Sequence, residues 1–203
     1  MEQGKTFALI SDAGSPLVSD PGGLLVQEMI ARGIPFTSVP GPSAVITALV
    51  LSGLPTEPFS FLGFLPSSET QRRAVLERIA RLTGYTIVLF ESPQRVLGLL
   101  REIGEILGNR KISVCRELTK MHEEVLRGTV GQLLPQLSSR KLQGEFSVVI
   151  APGEAAPIEM TEEDVRARFS QLVNEGLNKK EALKRLAKES GRSRNELYDL
   201  LMR

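Results

Sequence analysis

Two carboxylates stand where a sequence of this kind places chemistry. Asp12 follows the apolar run FALI in LISDAGSPLVSDPGG, and Glu91 closes TIVLFE before SPQR. Each run has strand length, and each is followed by turn-forming residues that lead into a helical pattern. In open α/β sheets, ligands bind beyond the carboxyl ends of the strands, where loops leave room and helix N-termini supply partial positive charge. A carboxylate at such a position can hold a hydroxyl or an amine, or accept a proton. Around Asp12, the small residues Ala13 and Gly14 let a ligand approach the backbone, Ser15 offers a hydroxyl, and Pro16 stiffens the loop. A plain turn uses the same residue types, so for Asp12 and Ser15 the spacing alone leaves both readings open.

A second turn of small residues, VPGPSAV, also follows an apolar run and opens a helix, with Ser43 and Ala44 at its start. Two such loops after two strands of one sheet would line a single crevice. Neither matches the dinucleotide fingerprint G-x-G-x-x-G or the phosphate-binding G-x-x-x-x-G-K-[ST]. DAGSPL does not fit the G-x-S-x-G elbow, and His122 is the one histidine that would serve a serine hydrolase as base. One histidine and one cysteine also exclude a His- or Cys-rich metal site, so no metal is expected. Cys115, in the apolar run KISVC, reads as a buried small residue.

The elements that must carry these loops alternate. TFALIS, a helix over about 21–32 with Asp20 as N-cap and Pro21 at its first position, PFTSVP, and the helix AVITALVLSG give a βαβα rhythm. After the turn-rich GLPTEP come FSFLGF, a helix near 69–81, YTIVLF, a helix over about 93–107 with Ser92 as candidate cap, KISVCREL, EEVLRGTV, a further helix and EFSVVIAP. KISVCREL and EEVLRGTV lie too close for a helical crossover and are expected to pair antiparallel within a mixed sheet. We expect three parts: 1–57, a first α/β domain; 58–153, a second α/β domain; and 154–203, a helical tail capped by Thr161 with Asp164 and broken at Gly191. No apolar run approaches the roughly 20 residues of a membrane span, and the first residues lack a secretory core. A cytoplasmic protein is expected.

SDAGSPLVSDPG, VPGPSAVITALVLSGLP, GFLP, FESPQRV, RELTK and GEFSVVI occur in the order and approximate spacing of the ribosomal RNA small subunit methyltransferase I family, which resembles the tetrapyrrole methylases in fold. The resemblance covers nearly the whole chain. It implies two α/β domains of tetrapyrrole-methylase type, the first incomplete and parallel and the second with a mixed sheet, plus a C-terminal helical tail. It further implies transfer of a methyl group from S-adenosyl-L-methionine to the ribose 2′-oxygen of a cytidine in 16S rRNA of the small ribosomal subunit, and a homodimer formed through the first domain. By motif, Asp12, Ala13, Gly14, Ser15 and Pro16 would line the donor with Ser43 and Ala44, and Glu91 and Gly128 would reach it from the second domain. Asp12 and Glu91 would then face each other across one groove. Family members normally begin with a further segment carrying a P-x-G-N-L-x-D-I-T-like loop, which does not precede TFALIS here. Only two strands of the first domain are therefore expected, completed by a longer parent protein or by another chain.

Methyl transfer from a sulfonium is an in-line displacement, so positioning of the 2′-oxygen comes first, and a base for its proton helps. Glu91 and Lys120 are the first candidates for catalytic residues. Arg95, Glu117 and Glu145 fall in family-like motifs and are placed on the RNA face. The tail adds NKKEALKRLAKESGRSR, seven cations against two carboxylates, in which Lys180, Lys184 and Lys188 recur every fourth residue. On a helix they form one stripe, suited with Arg192 and Arg194 to phosphate contacts. An aromatic content of 5% with no tryptophan offers few stacking platforms, which favours shape and phosphate recognition over base stacking. The helix, break and helix around Gly191 also resemble a helix-turn-helix, so a DNA-binding regulator with a ligand-sensing α/β domain is the alternative reading.

Overall fold

The computed structural model describes residues 4–12, 14–153 and 160–202. Its contacts divide the chain into two compact units, Met1–Gly153 and Glu154–Arg203. In the first unit, α1 (Gly23–Ala31) and α2 (Ala44–Ser52) precede a five-stranded sheet. The sheet alternates with helices: β1 (Phe59–Phe64), α3 (Glu69–Arg81), β2 (Thr86–Glu91), α4 (Val96–Ile106), β3 (Lys111–Arg116), β4 (Glu124–Thr129), α5 (Val130–Ser138) and β5 (Phe146–Ile150). The second unit holds α6 (Glu162–Asn174), α7 (Lys179–Ser190) and α8 (Arg194–Met202).

The sheet order is β1-β2-β5-β3-β4. β1 and β2 are parallel, while β5 runs antiparallel to both β2 and β3, and β3 to β4. The mixed sheet and the antiparallel pair expected from KISVCREL and EEVLRGTV are both present. Strand alternation sends Ile87, Leu89, Ile112, Val114, Phe146 and Val148 to one face, where α3, α4 and α5 bury them. Val88, Cys115 and Val149 point the other way and meet Val45, Ala48 and Leu49 of α2. A sheet covered on both faces reads as continuous apolar runs, which is what TIVLF and FSVVI are. Cys115 is buried in this second layer.

Three local expectations are corrected. TFALIS and PFTSVP are not strands: among the described residues, 4–21 and 35–42 enter no backbone ladder. A strand exists only by pairing, and among the described residues no strand lies beside them to supply the donors and acceptors. Their apolar side chains stay outside, with Ile10 and Val39 each more than 80% exposed. The first helix begins at Gly23, capped by Gly22 without a side-chain bond, so Asp20 is not its N-cap. α4 begins at Val96, because the Ser92 carbonyl accepts from the backbone N–H of both Arg95 and Val96 and residues 92–95 form a turn.

α6 opens with the expected capping box: the Asp164 N–H donates to Thr161 Oγ1 at 3.2 Å, and the Asp164 carboxylate accepts the Thr161 N–H at 3.0 Å. Asn178 with Glu181, and Ser193 with Glu196, repeat the device at α7 and α8. Val165, Leu172, Ala182, Leu186 and Leu197 form the core of this second unit. No described helix is long and apolar enough to cross a membrane.

Candidate functional site

The strand directions bring the carboxyl ends of β1, β2 and β3 to one edge of the sheet, together with the amino ends of β4 and β5. Glu91, Phe146, Arg116 and Glu124 stand in register across that edge. Loops from the N-terminal half reach the same region. A Cβ on Gly63, near the end of β1, would stand 3.4 Å from Ser19 Oγ. The two small-residue loops meet: Gly14 adopts φ 71°, and a Cβ there would lie 3.5 Å from the Pro42 carbonyl oxygen. The Ser11 hydroxyl donates to the Gly14 carbonyl at 3.1 Å and closes the first loop, leaving Asp12 exposed. Ser15 and Pro16 are partly buried beside it. Ser43 caps α2, its hydroxyl accepting the Ile46 N–H at 3.4 Å, and Ala44 is the first residue of that helix. Ala13 lies outside the described residues.

Glu91 is differently placed. It alternates with Leu89 and Ile87, so it points to the α4 face, whereas Ser43 and α2 lie against the opposite face. Its side chain is fully buried, accepting from Arg95 Nε at 2.7 Å, Arg95 Nη2 at 3.0 Å and the Ser92 N–H at 2.7 Å. Arg95 in turn donates to the Leu65 carbonyl at 3.0 Å. A second buried pair repeats the construction: Arg72 forks onto Glu102 at 2.6 and 2.5 Å and donates to the Pro66 and Ser67 carbonyls. Two arginines, each fixed by a buried carboxylate, thus hold three successive carbonyls of the loop after β1. The geometry sets Glu91 and Arg95 to shaping GFLP and spends the Arg95 fork on protein groups. The groove with Asp12 facing Glu91 is not formed by these side chains.

Lys120, Glu117 and Glu145 form a surface cluster at the same sheet edge. Lys120 Nζ donates to Glu145 at 2.9 Å and to Glu117 at 3.1 Å, which keeps the ammonium pKa above the ordinary lysine value. Glu117 also accepts the Glu145 N–H at 2.9 Å, and that bond, then Lys120, holds its carboxyl below the usual range. Gly144 makes this possible: it sits at φ 87°, and a Cβ would meet the Glu117 carboxyl at 2.5 Å. Glu117 and Thr119 themselves adopt positive φ, so the segment 117–120 is a tightly specified loop. Arg116 Nε donates to the Gln143 carbonyl at 2.7 Å and ties the two loops together.

Gly128 is not brought to this edge. It pairs with Ile112, in line with Ile150 and Ile87, four residue steps from Glu91 along the strands. Its missing side chain admits Gln132 and Leu133 of α5. In the second unit, Lys180, Lys184, Lys188 and Arg194 are exposed, whereas Arg192 donates to the Met160 carbonyl at 2.7 Å. Among the described residues no group of three or more His, Cys, Asp and Glu could hold a metal ion. Cys115 is buried, and burial raises its thiol pKa, which disfavours the thiolate.

The pair Arg72 and Glu102 escaped the sequence reading. The signal was a carboxylate between Leu99 and Ile103 on the apolar stripe of α4, a position that burial permits only with a partner.

Comparison with known proteins bears on what this edge serves. The family model described as "Tetrapyrrole (Corrin/Porphyrin) Methylases" matches residues 1–134. The methyltransferase CobJ shares the fold, with a TM-score of 0.52 at 17% identity over 71% of this chain and 64% of that one. Ribosomal RNA small subunit methyltransferase I of Halalkalibacterium halodurans is 41% identical over 202 residues, 98% of this chain and 70% of that protein. The protein of the same name from Mycobacterium tuberculosis is 42% identical over 204 residues, 100% of this chain and 70% of its own length. With a mixed sheet of the matching fold and relatives of one name along nearly its whole length, the chain belongs to the tetrapyrrole methylase family and, within it, to the ribosomal RNA small subunit methyltransferase I family.

Proposed function

We propose that this chain carries out methyl transfer from S-adenosylmethionine to a ribose 2′-oxygen of a cytidine in small-subunit ribosomal RNA, acting in the cytoplasm on 16S rRNA. The observation that carries the reading is the meeting of the two small-residue loops, with Asp12 exposed and Gly14 beside Pro42, while Ser19 of the first segment stands beside Gly63 near the end of β1. These residues fit a donor of that kind. An exposed carboxylate suits its ribose hydroxyls or its ammonium, and loops of small residues admit a bulky ligand close to the backbone. Residues 1–57 supply these loops, 58–153 the edge beneath them, and 154–203 a separate helical part.

When bound, the donor supplies an electrophilic methyl carbon on a positively charged sulfur. The remaining work falls to the chain's own groups. Asp12 and the loop over 14–16, with Ser43 and Ala44, orient the donor. The arginine clamp holds the carbonyls of Leu65, Pro66 and Ser67 and so fixes the loop that ends β1. Glu91 acts through Arg95 and is a positioning residue. Lys120, kept cationic by Glu145 and Glu117, orients the RNA rather than accepting the hydroxyl proton. Bringing nucleophile and methyl carbon into line is the largest single contribution such a site makes, because it removes the entropy of encounter. Self-association as a homodimer through residues 1–57 would cover apolar side chains such as Leu24 and Val39.

The test is transfer of labelled methyl from S-adenosylmethionine to small-subunit particles, followed by mapping of the modified nucleotide. The expected product carries the label on a cytidine 2′-oxygen, and Asp12→Asn lowers transfer by at least about tenfold, the cost of one ~1.4 kcal/mol interaction lost at the transition state. Label on a base, or on no RNA at all, overturns the reading.

A further inference from the structure

The stripe of lysines on α7 does not act alone. Between α7 and the start of α8 lies an open hollow of about 440 Å³ lined by Glu181, Lys184, Arg185, Ala187, Lys188 and Arg194. The cations around it fall into two kinds. Arg185 is engaged with Glu189 at 3.1 Å, and Glu189 is also held by Arg168 of α6 at 2.8 Å. Arg192, outside the hollow, is spent on the Met160 carbonyl. Arg168 thus joins α6 to α7, and Arg192 ties the turn after α7 to the residue two places before α6. Lys184, Lys188 and Arg194 are exposed and, among the described residues, enter no ion pair. The one carboxylate in the wall, Glu181, accepts the Asn178 N–H of its own capping box at 3.4 Å.

Stability does not call for this arrangement. Ala182 and Leu186, half a helical turn from Lys184 and Lys188, already bury the packing face of α7. Arg194 is the first residue of α8, where a cation opposes the helix dipole. Three free cations that converge on a concave surface, one of them placed against its own helix, suit successive phosphates of a polyanion. Tyr198 is exposed one turn beyond Arg194 on the same side of α8 and adds an aromatic face for a base.

We infer that the hollow between α7 and α8 is an RNA-docking surface, in which Lys184, Lys188 and Arg194 contact the phosphate backbone of the ribosomal RNA substrate. This rests on the reading of that substrate as RNA. The surface supplies affinity and register, and the chemistry belongs to the first unit.

The test uses the full chain and measures binding to deproteinised small-subunit ribosomal RNA across a series of salt concentrations, without any methyl transfer. Lys184→Gln, Lys188→Gln and Arg194→Gln combined should weaken binding at 0.1 M salt at least about tenfold and reduce the slope of log K against log salt by about 2, as expected for three lost phosphate contacts. A control removes the same charge from the first unit, at Arg78, Arg81 and Lys141, and should leave affinity and slope near the wild-type values. Circular dichroism of both variants should match the wild type, since every substituted residue is exposed. An unchanged slope in the first variant overturns the inference, as does an equal loss in the control. Tighter binding of a DNA duplex of equal length also overturns it, in favour of a DNA reader. Because no methyl transfer is read, a failed transfer assay beside a reduced slope would count against the proposed reaction and leave the docking surface standing.

Discussion

The two parts of the first unit hold themselves together by different means. From Phe59 to Ile150, five strands exchange backbone hydrogen bonds, apolar side chains fill both faces of the sheet, and two buried ion pairs fix the loop after β1. From 4 to 42 the described backbone enters no ladder, and large apolar side chains lie open to water. Yet the loops proposed to hold a donor belong to the second kind of structure, which touches the sheet where Ser19 stands beside Gly63 of β1. Stability and the proposed donor contacts are therefore divided: the sheet region carries stability, and the loops proposed to face the donor lie in the N-terminal region.

The contrast can be broken most forcefully in the core. Leu89→Ala, at a fully buried position of β2, should cost about 2–5 kcal/mol in urea unfolding. Ile10→Ala, at an 85% exposed position, should stay within about 0.5 kcal/mol. Equal losses would erase the distinction. Next in size is the clamp. Glu102→Gln leaves Arg72 short of its buried partner, and such breakage costs about 3 kcal/mol; the shift in urea midpoint reads it directly. A neutral result would mean that water replaces Glu102.

The smallest effect concerns acid and the second unit. Glu189 is held below the ordinary carboxylate range, first by its hydrogen bond to Arg168 and also by Arg185. A depressed folded-state pKa contributes stability that is complete above the unfolded value, about 4.3, and is lost as pH falls through the folded value. Helical circular dichroism of the second unit should therefore weaken below about pH 4, and Glu189→Gln should flatten that dependence. The same acid limb in the variant would assign it to another carboxylate.

How much of this was legible follows from where each feature gets its partner. TIVLF and FSVVI announce buried strands because both faces of the sheet are covered, and Thr161 with Asp164 announces a helix start within four residues. TFALIS and PFTSVP have the same composition as strands, but strand formation depends on a neighbour, which local sequence does not contain. Glu91 was visible as a strand-end carboxylate. Its direction was readable too, since it alternates with Ile87 and Leu89, but which helices lie on that face was not. Arg95 four residues on and the Leu65 carbonyl 26 positions earlier complete its environment, and only the second of these needs the fold. In the tail, the lysine stripe was plain, whereas the division between structural arginines and free cations depended on Glu189 and the Met160 carbonyl, distant in sequence.

Donor binding measured by titration calorimetry on the full chain tests the central claim most directly. The account predicts that S-adenosylmethionine binds the wild-type protein, that Asp12→Asn weakens it at least about tenfold, and that Lys184→Gln leaves the donor affinity as it was. Donor affinity that is indifferent to Asp12 but falls with Lys184 would contradict it, because the ligand-facing loops would then not be those of the N-terminal region.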